Sequence, residues 1–474
     1  MSSDEVVTRP RLLQLLALAW PIVISRSAQV VVGVTDAIMV APLGEDSLAA
    51  TTTGALNSFA FMALQIGTVF IIGSFVSQLM GRGDASGARR FGFYGLLIAL
   101  GSEVLALSLL PLLPKLSFWL GLSPHVRELL VEYMRIRLLS VGAAVGLEAL
   151  GSYYSAVKNT VLPMVAQILA MALNVARCWL LIRGHWGAPA LGVAGSAWAA
   201  TLGTSTGFAF LAACFLLRIK APQARAGELR LRELGRTLRF GLPVGLNFFM
   251  DLLSFLVFVN VVVGHLGTTE LAATMAVIQL NSIAFMPSFA LATAGSIFVG
   301  QAIGAGKRDD VPRTARLTVA TTAGWQALVG VTYLVAPRLW LAPLVPQGAD
   351  RFLDVGATLL VLSSAWQLAD GIAMAYAEAL RAAGDTTFSL WARVAINWLV
   401  FVPGALVTTR LFGARELGAA AWLVVSLGLL ATVMVLRFRS GKWRSIELVE
   451  PELVESVDLG MNEPTSLSSA HGDG

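Results

Sequence analysis

A succession of apolar runs of about twenty residues or more, joined by short basic or glycine-rich connections, governs what this chain can fold into. Backbone amides carried into hydrocarbon find no water to bond, so a crossing segment must be a helix or part of a closed barrel. Runs of this length select helices, and the alternating segments of about ten residues that a barrel needs are absent. Of the 474 residues, 56% are hydrophobic and only 13% charged, a balance that makes lipid the solvent for most of the chain.

A hydropathy window of about twenty residues places spans over 12–41, 48–73, 91–113, 128–155, 161–183, 190–217, 239–264, 271–300, 315–336, 353–380, 387–411 and 416–437. The expected fold is therefore all-α and integral to the membrane, with twelve transmembrane helices. The start is polar through Arg11, and no small-residue cleavage site follows the first apolar run, so that run is expected to be retained. The N-terminus and the connections after even-numbered spans carry Arg9, Arg11, Arg82, Arg89, Arg90, Lys158, a run from Arg218 to Arg239, Lys307, Arg308, Arg313, Arg316 and Arg381. The opposite connections are poorer in lysine and arginine, so both termini are expected in the cytoplasm. Topology thus accounts for the net charge of +5, and no nucleic-acid partner is expected.

Charges gathered around Pro222 and Gly227 mark a basic linker over 218–238. It divides an N-terminal six-helix bundle, 1–217, from a C-terminal one, 239–439, and the polar, serine-rich residues 440–474 read as a disordered cytoplasmic tail. The halves repeat. Leu43-Gly44 and Leu48-Ala49-Ala50-Thr51 recur as Leu266-Gly267 and Leu271-Ala272-Ala273-Thr274, and the same offset carries Gln78, Gly81 and Gly83 onto Gln301, Gly304 and Gly306. Leu56-Asn57-Ser58 with Phe61-Met62 answers to Leu280-Asn281-Ser282 with Phe285-Met286, within one residue of that offset. An even number of spans keeps both copies in one orientation: a parallel pseudo-two-fold repeat with a cavity between the halves.

At these residues the chain resembles the multidrug and toxic compound extrusion (MATE) family, in its bacterial NorM-like branch. The first half carries Ala19-Trp20-Pro21, Val34-Thr35-Asp36-Ala37-Ile38-Met39-Val40 and Val76-Ser77-Gln78; the second carries Gly241-Leu242-Pro243, Val299-Gly300-Gln301 and Arg381-Ala382-Ala383-Gly384-Asp385-Thr386. The resemblance implies a MATE/MOP-like pair of bundles around a V-shaped cavity. It also implies export of amphipathic, often cationic compounds in exchange for Na⁺ or H⁺, in a monomer of a bacterial inner membrane with no covalently bound cofactor.

A carboxylate inside a span costs several kcal/mol, which singles out Asp36, Glu103, Glu148, Asp251, Asp370 and Glu378. By resemblance, Asp251 and Asp370 match the acids that coordinate Na⁺ in the second bundle, although the family usually has glutamate where this chain has Asp251. Asp36 matches the acid of the first bundle linked to cation or proton coupling, with Asn174 and Ser196 as partners. The departure there is Cys178, one turn beyond Asn174, where relatives present Asp or Asn. Glu148 either lends negative potential to the cavity or forms an interhelical hydrogen bond. Glu378, three residues before Arg381, reads as a local ion pair, and Arg26 as a salt-bridge partner for one of the acids. Phe61, Met62, Phe285, Met286 and Phe289 are the cavity candidates, because adaptable aromatic and methionine surfaces accept many shapes. Pro21, Pro243 and Pro287 are expected to bend their helices.

Other classes fit less well. The nearest approach to a P-loop, Gly300 to Gly306-Lys307, is wrongly spaced for an ATP-driven pump. His125, His185, His265 and His471 all fall in connections or the tail, so no enzyme constellation forms within the spans, and an enzyme is not expected. Cys178 and Cys214 show no CxxC spacing, against disulfides and structural zinc. A channel would favour an oligomeric ring over an internal repeat. The runner-up is a flippase for lipid-linked saccharides of the same superfamily, which usually lacks the acid pair of the seventh and tenth spans.

Overall fold

The computed structural model describes residues 12–118, 121–344, 350–411 and 415–450. Twelve helical rods run through these described residues. In the N-terminal half they are α1 (Leu12–Val40), α2 (Glu45–Arg82), α3 (Ala85–Leu109), α4 (residues 124–156), α5 (Val161–Arg183) and α6 (Gly192–Leu216). In the C-terminal half they are α7 (Leu231–Val263), α8 (Thr268–Gly304), α9 (Val311–Val335), α10 (Asp350–Ala383), α11 (Thr386–Arg410) and α12 (Arg415–Arg439). Ten are long and apolar enough to cross a bilayer unaided. An eleventh, α9, passes together with a short helix folded back at 95° after it.

The twelfth, α4, consists of Pro124–Leu138 and Val141–Ala156, separated at Leu139-Ser140. Neighbours satisfy the backbone groups this break frees. Glu103 of α3 accepts from the Gly142 amide at 2.6 Å, and Thr201 of α6 donates to the Ile136 carbonyl at 3.1 Å. Irregular backbone at membrane depth persists on this condition, and Glu103 thereby acquires a structural role. A second break, at Phe70 in α2, leaves the Phe70 carbonyl to accept from Arg381 of α10 at 2.7 Å.

The internal repeat is visible in the backbone. Gly44 and Gly267 precede α2 and α8 with φ of 112° and 126°, a conformation glycine adopts without the cost other residues incur. Where α2 and α8 cross, a Cβ on Gly81 would lie 2.2 Å from the Gln301 carbonyl oxygen, and one on Gly304 would lie 1.9 Å from that of Gln78. The repeated Gln-x-x-Gly pairs are thus the two sides of one reciprocal contact. Gln78 also donates to the Ala382 carbonyl at 2.7 Å and Gln301 to that of Ala156 at 3.2 Å.

Further contacts between the halves follow α1 against α8, through Leu15, Leu18 and Ala19 on Leu291, Ala294 and Ile297, and α2 against α7, where Gly67 meets Gly245. They gather toward the end of the molecule that bears the basic connections.

Two sequence expectations need correction. The basic linker is shorter than 218–238, because α7 begins at Leu231 and its first turn is anchored by Glu233 accepting from Arg90 and Tyr94. Residues 440–450 are ordered against the bundles rather than tail-like: Trp443 enters the core of the C-terminal half, and Leu448 and Val449 that of the N-terminal half. Arg82 and Arg236 donate to backbone carbonyls of this strap. Trp443, Leu448 and Val449 are buried there, and Ile446 packs beside Gly384. The rest of the expected tail, 451–474 with His471, lies outside the described residues, as do Arg9 and Arg11. Pro21, Pro243 and Pro287 are each housed within a continuous helix.

Candidate functional site

Between the halves lies a cavity of about 430 Å³. Its walls follow helical spacing. From α1 come Arg26, Gln29, Gly33 and Asp36; from α2 come Phe59, Met62, Ile66 and Phe70; from α5 come Gln167, Met171 and Asn174; and α8 supplies Phe285, Met286 and Phe289. The cavity extends away from the basic connections. A smaller pocket of about 70 Å³ continues beneath it toward Glu378 and Arg381.

Of the cavity candidates, Met62, Phe285, Met286, Phe289 and Glu148 line it, whereas Phe61 packs against the core of the N-terminal half. Phe61 points about 100° around α2 from Met62, which here carries it off the cavity wall, although Phe285 and Met286 both reach the cavity from α8. The α2 wall continues through Phe59, Ile66 and Phe70 instead.

Glu148 sits at the base of the cavity and is fully engaged. Arg26 donates Nη1 and Nη2 to its two oxygens at 3.0 and 2.8 Å, and Gln29 adds a bond at 2.8 Å. The Arg26 guanidinium also lies over the rings of Phe70 and Phe289, 5.6 and 5.4 Å from their centroids. Such stacking is favourable for a desolvated guanidinium. Glu378 pairs with Arg381, as the spacing suggested.

Asp36 is buried near the far end of α1 and accepts from the Cys178 thiol at 3.2 Å; the Cys178 sulfur lies 4.0 Å from Asn174 Oδ1. Among the described residues, the Asn174 amide nitrogen and the Ser196 hydroxyl are buried and make no hydrogen bond of ordinary geometry. The structure thus brings Asp36, Asn174, Cys178 and Ser196 to one place, with these polar atoms beside the carboxylate. Arg137, half-buried on the cavity wall, stands within electrostatic reach of Asp36. The one hydrogen bond its guanidinium makes among the described residues is to the Ser140 hydroxyl at 3.3 Å.

In the C-terminal half, Asp251 of α7 and Asp370 of α10 lie within electrostatic reach of one another. Arg393 of α11 lies between them in charge terms, donating to Asp251 Oδ2 at 3.2 Å, and Asn397 donates to Asp251 Oδ1 at 3.0 Å. A reading of the sequence confined to acids overlooks Arg137 and Arg393, yet an arginine inside an apolar span is as costly as a carboxylate and could be found by the same rule.

With this geometry in hand, likeness to known proteins can be stated. The chain is 29% identical over 437 residues to the "Probable multidrug resistance protein NorM" of Rhizobium meliloti (strain 1021), covering 90% of this chain and 92% of that protein. It is 28% identical over 438 residues to the protein of the same description from Agrobacterium fabrum (strain C58), covering 89% and 92%. In fold it matches, with TM-score 0.82 and 19% identity over 91% of this chain and 96% of the other, a solved structure described as the outward-facing conformation of a multidrug resistance MATE family transporter of the MOP superfamily. The MatE family model matches residues 21–180 and 243–407, one stretch in each half. With both six-helix halves matched, the chain belongs to the MATE family of multi-pass membrane transporters.

Proposed function

We propose that this protein is a secondary active exporter that exchanges Na⁺ or H⁺ for amphipathic, often cationic small molecules by alternating access. The observation that carries this reading is the cavity between the two halves, walled by aromatic rings and methionines and flanked by acids at membrane depth. Adaptable walls suit varied amphiphiles. Asp36, with Asn174 and Ser196, is the group proposed to respond to either coupling ion, and Asp370 to H⁺. Taking the basic connections as cytoplasmic, the contacts between the halves close the inner side and the cavity faces outward. The protein then acts as a monomer in a bacterial inner membrane, with both termini inside. The named relatives being multidrug resistance proteins supports drug-like substrates.

The test is extrusion of ethidium from loaded cells or vesicles under imposed Na⁺ and H⁺ gradients. Wild type should move ethidium down a gradient of one ion, and Asp36→Asn and Asp370→Asn should each lose about tenfold or more in rate at equal expression. If no gradient moves any compound across a broad panel, the exporter reading fails and the lipid-linked saccharide flippase takes its place.

A further inference from the structure

The C-terminal half brings Asp251 and Asp370 within electrostatic reach of one another, and an arginine of the chain itself is seated on the first of them. Both oxygens of Asp251 are engaged, Oδ1 by Asn397 and Oδ2 by Arg393. Arg393 and Asn397 stand one turn apart on α11, so both reach the same point of α7. Asn397 donates also to the Ser254 hydroxyl at 3.1 Å, and that hydroxyl donates to the Asp251 carbonyl at 2.8 Å, which ties the carboxylate's surroundings to its own backbone. The Arg393 side chain is only 17% exposed, and its Nε is buried with no partner. A guanidinium so enclosed does not swing into water; its charge is balanced where it sits, by Asp251 and, through space, by Asp370.

We infer that Arg393 occupies the place of a coupling cation in the C-terminal half, so that the Asp251–Asp370 pair takes no Na⁺. This rests on the exporter reading only in calling the cation a coupling ion; the binding statement stands without it. Na⁺ brought to Asp251 would have to displace a charge-assisted hydrogen bond and sit beside a like charge. What remains is Asp370, a single carboxylate with no hydrogen-bond partner among the described residues and a fixed positive charge in reach. Arginine, unlike lysine, keeps its proton in proteins, so the internal cation does not vacate the site by deprotonation. Both helices widen into π-helical turns, Ile396–Phe401 in α11, which contains Asn397, and Phe258–Val263 in α7, about two helical turns beyond Asp251. Such turns recur at functional sites because the extra residue re-aims the side chains around it.

The experiment is equilibrium binding of ²²Na⁺ to the purified full-length protein, for wild type, Asp251→Asn, Arg393→Gln and the double variant Asp251→Asn/Arg393→Gln. Asp251→Asn should leave the Na⁺ binding of wild type unchanged. Arg393→Gln should gain Na⁺ affinity by about tenfold or more, equivalent to ~1.4 kcal/mol, and the double variant should lose that gain. Saturable wild-type binding that Asp251→Asn abolishes overturns the inference, and so does an Arg393→Gln protein of wild-type thermal stability that gains nothing. If Arg393→Gln does not fold, Asn397→Ala leaves the guanidinium on Asp251 and should bind Na⁺ as wild type does; a gain of about tenfold there overturns the inference equally. Because binding is read without transport, failure of all gradient-driven export sinks the exporter reading while leaving this result to stand or fall by itself.

Discussion

Arg26 and Glu148 are the clearest case of two charges placed at membrane depth that are tolerable only together. Their side chains are 20% and 10% exposed, and removing either leaves the other uncompensated. Breaking a buried pair from one side costs about 3–5 kcal/mol, whereas replacing both partners costs far less. Arg26→Ala should therefore lower thermal stability in detergent by about that amount, and Arg26→Ala/Glu148→Ala should recover most of it. A double-mutant cycle with coupling under ~0.5 kcal/mol would show that the pair is not the stabilising unit. The same pair bears on recognition. The rings of Phe70 and Phe289, suited to a bound cation, already flank Arg26, so a cationic substrate competes with the protein's own guanidinium for that surface.

At the scale of the helix, the breaks in α2 and α4 carry most of the explanatory weight. Sequence offers no proline or glycine at Leu139-Ser140 or at Phe70 to announce them. In α4 the freed Gly142 amide is capped by Glu103 from a neighbouring rod, the arrangement that Asp or Ser supplies at an ordinary helix start. Glu103→Ala should cost about 1–2 kcal/mol and should raise amide hydrogen exchange in the first turn after the break while leaving α8 to α12 unchanged. Unaltered exchange around Gly142 would assign Glu103 another role. In α2 the Phe70 carbonyl accepts from the Gly73 amide at 3.3 Å and, more closely, from Arg381 of the other half at 2.7 Å, which makes a helix irregularity into a contact between bundles.

Across the whole molecule, the closed end depends on glycines at the crossing of α2 and α8. A side chain at Gly304 would meet the Gln78 carbonyl at 1.9 Å, backbone that cannot rotate away. Overpacking of this kind costs about 1–3 kcal/mol, enough to shift the balance between closed and open forms by about 5- to 150-fold. Gly304→Val should lengthen the distance between spin labels at Ala85 and Lys307, one in each half, relative to wild type. Gly324→Val, at a site with no atom within 4 Å, should leave it unchanged. Equal distances in both variants would mean the halves are not held together by this crossing. The strap over 440–450 spans the same end and is anchored in both cores, so opening there must also peel Leu448 and Val449 from the N-terminal half.

Much of the architecture was legible without coordinates, for a physical reason: hydrocarbon forbids unpaired backbone, so run length alone yields helices, ten of which among the described residues are long and apolar enough to cross unaided. The repeated glycines and glutamines likewise announced two halves, and Asp36, Glu148, Met62, Phe285, Met286 and Phe289 stood out as residues whose chemistry or spacing a lipid-facing helix does not need. What the linear order could not supply is azimuth and partnership. Whether Phe61 or Met62 faces the cavity is decided by a rotation of one residue. Glu103 finds its role in a backbone gap opened on another helix, and Glu148 in an arginine far away in the chain. Arg393 and Asp251, also distant in sequence, meet because α7 and α11 pack side by side. Composition and periodicity thus determine which segments cross; only the tertiary packing, which fixes helix rotation and brings distant charges within bonding distance, decides which acids are free and which already hold a cation.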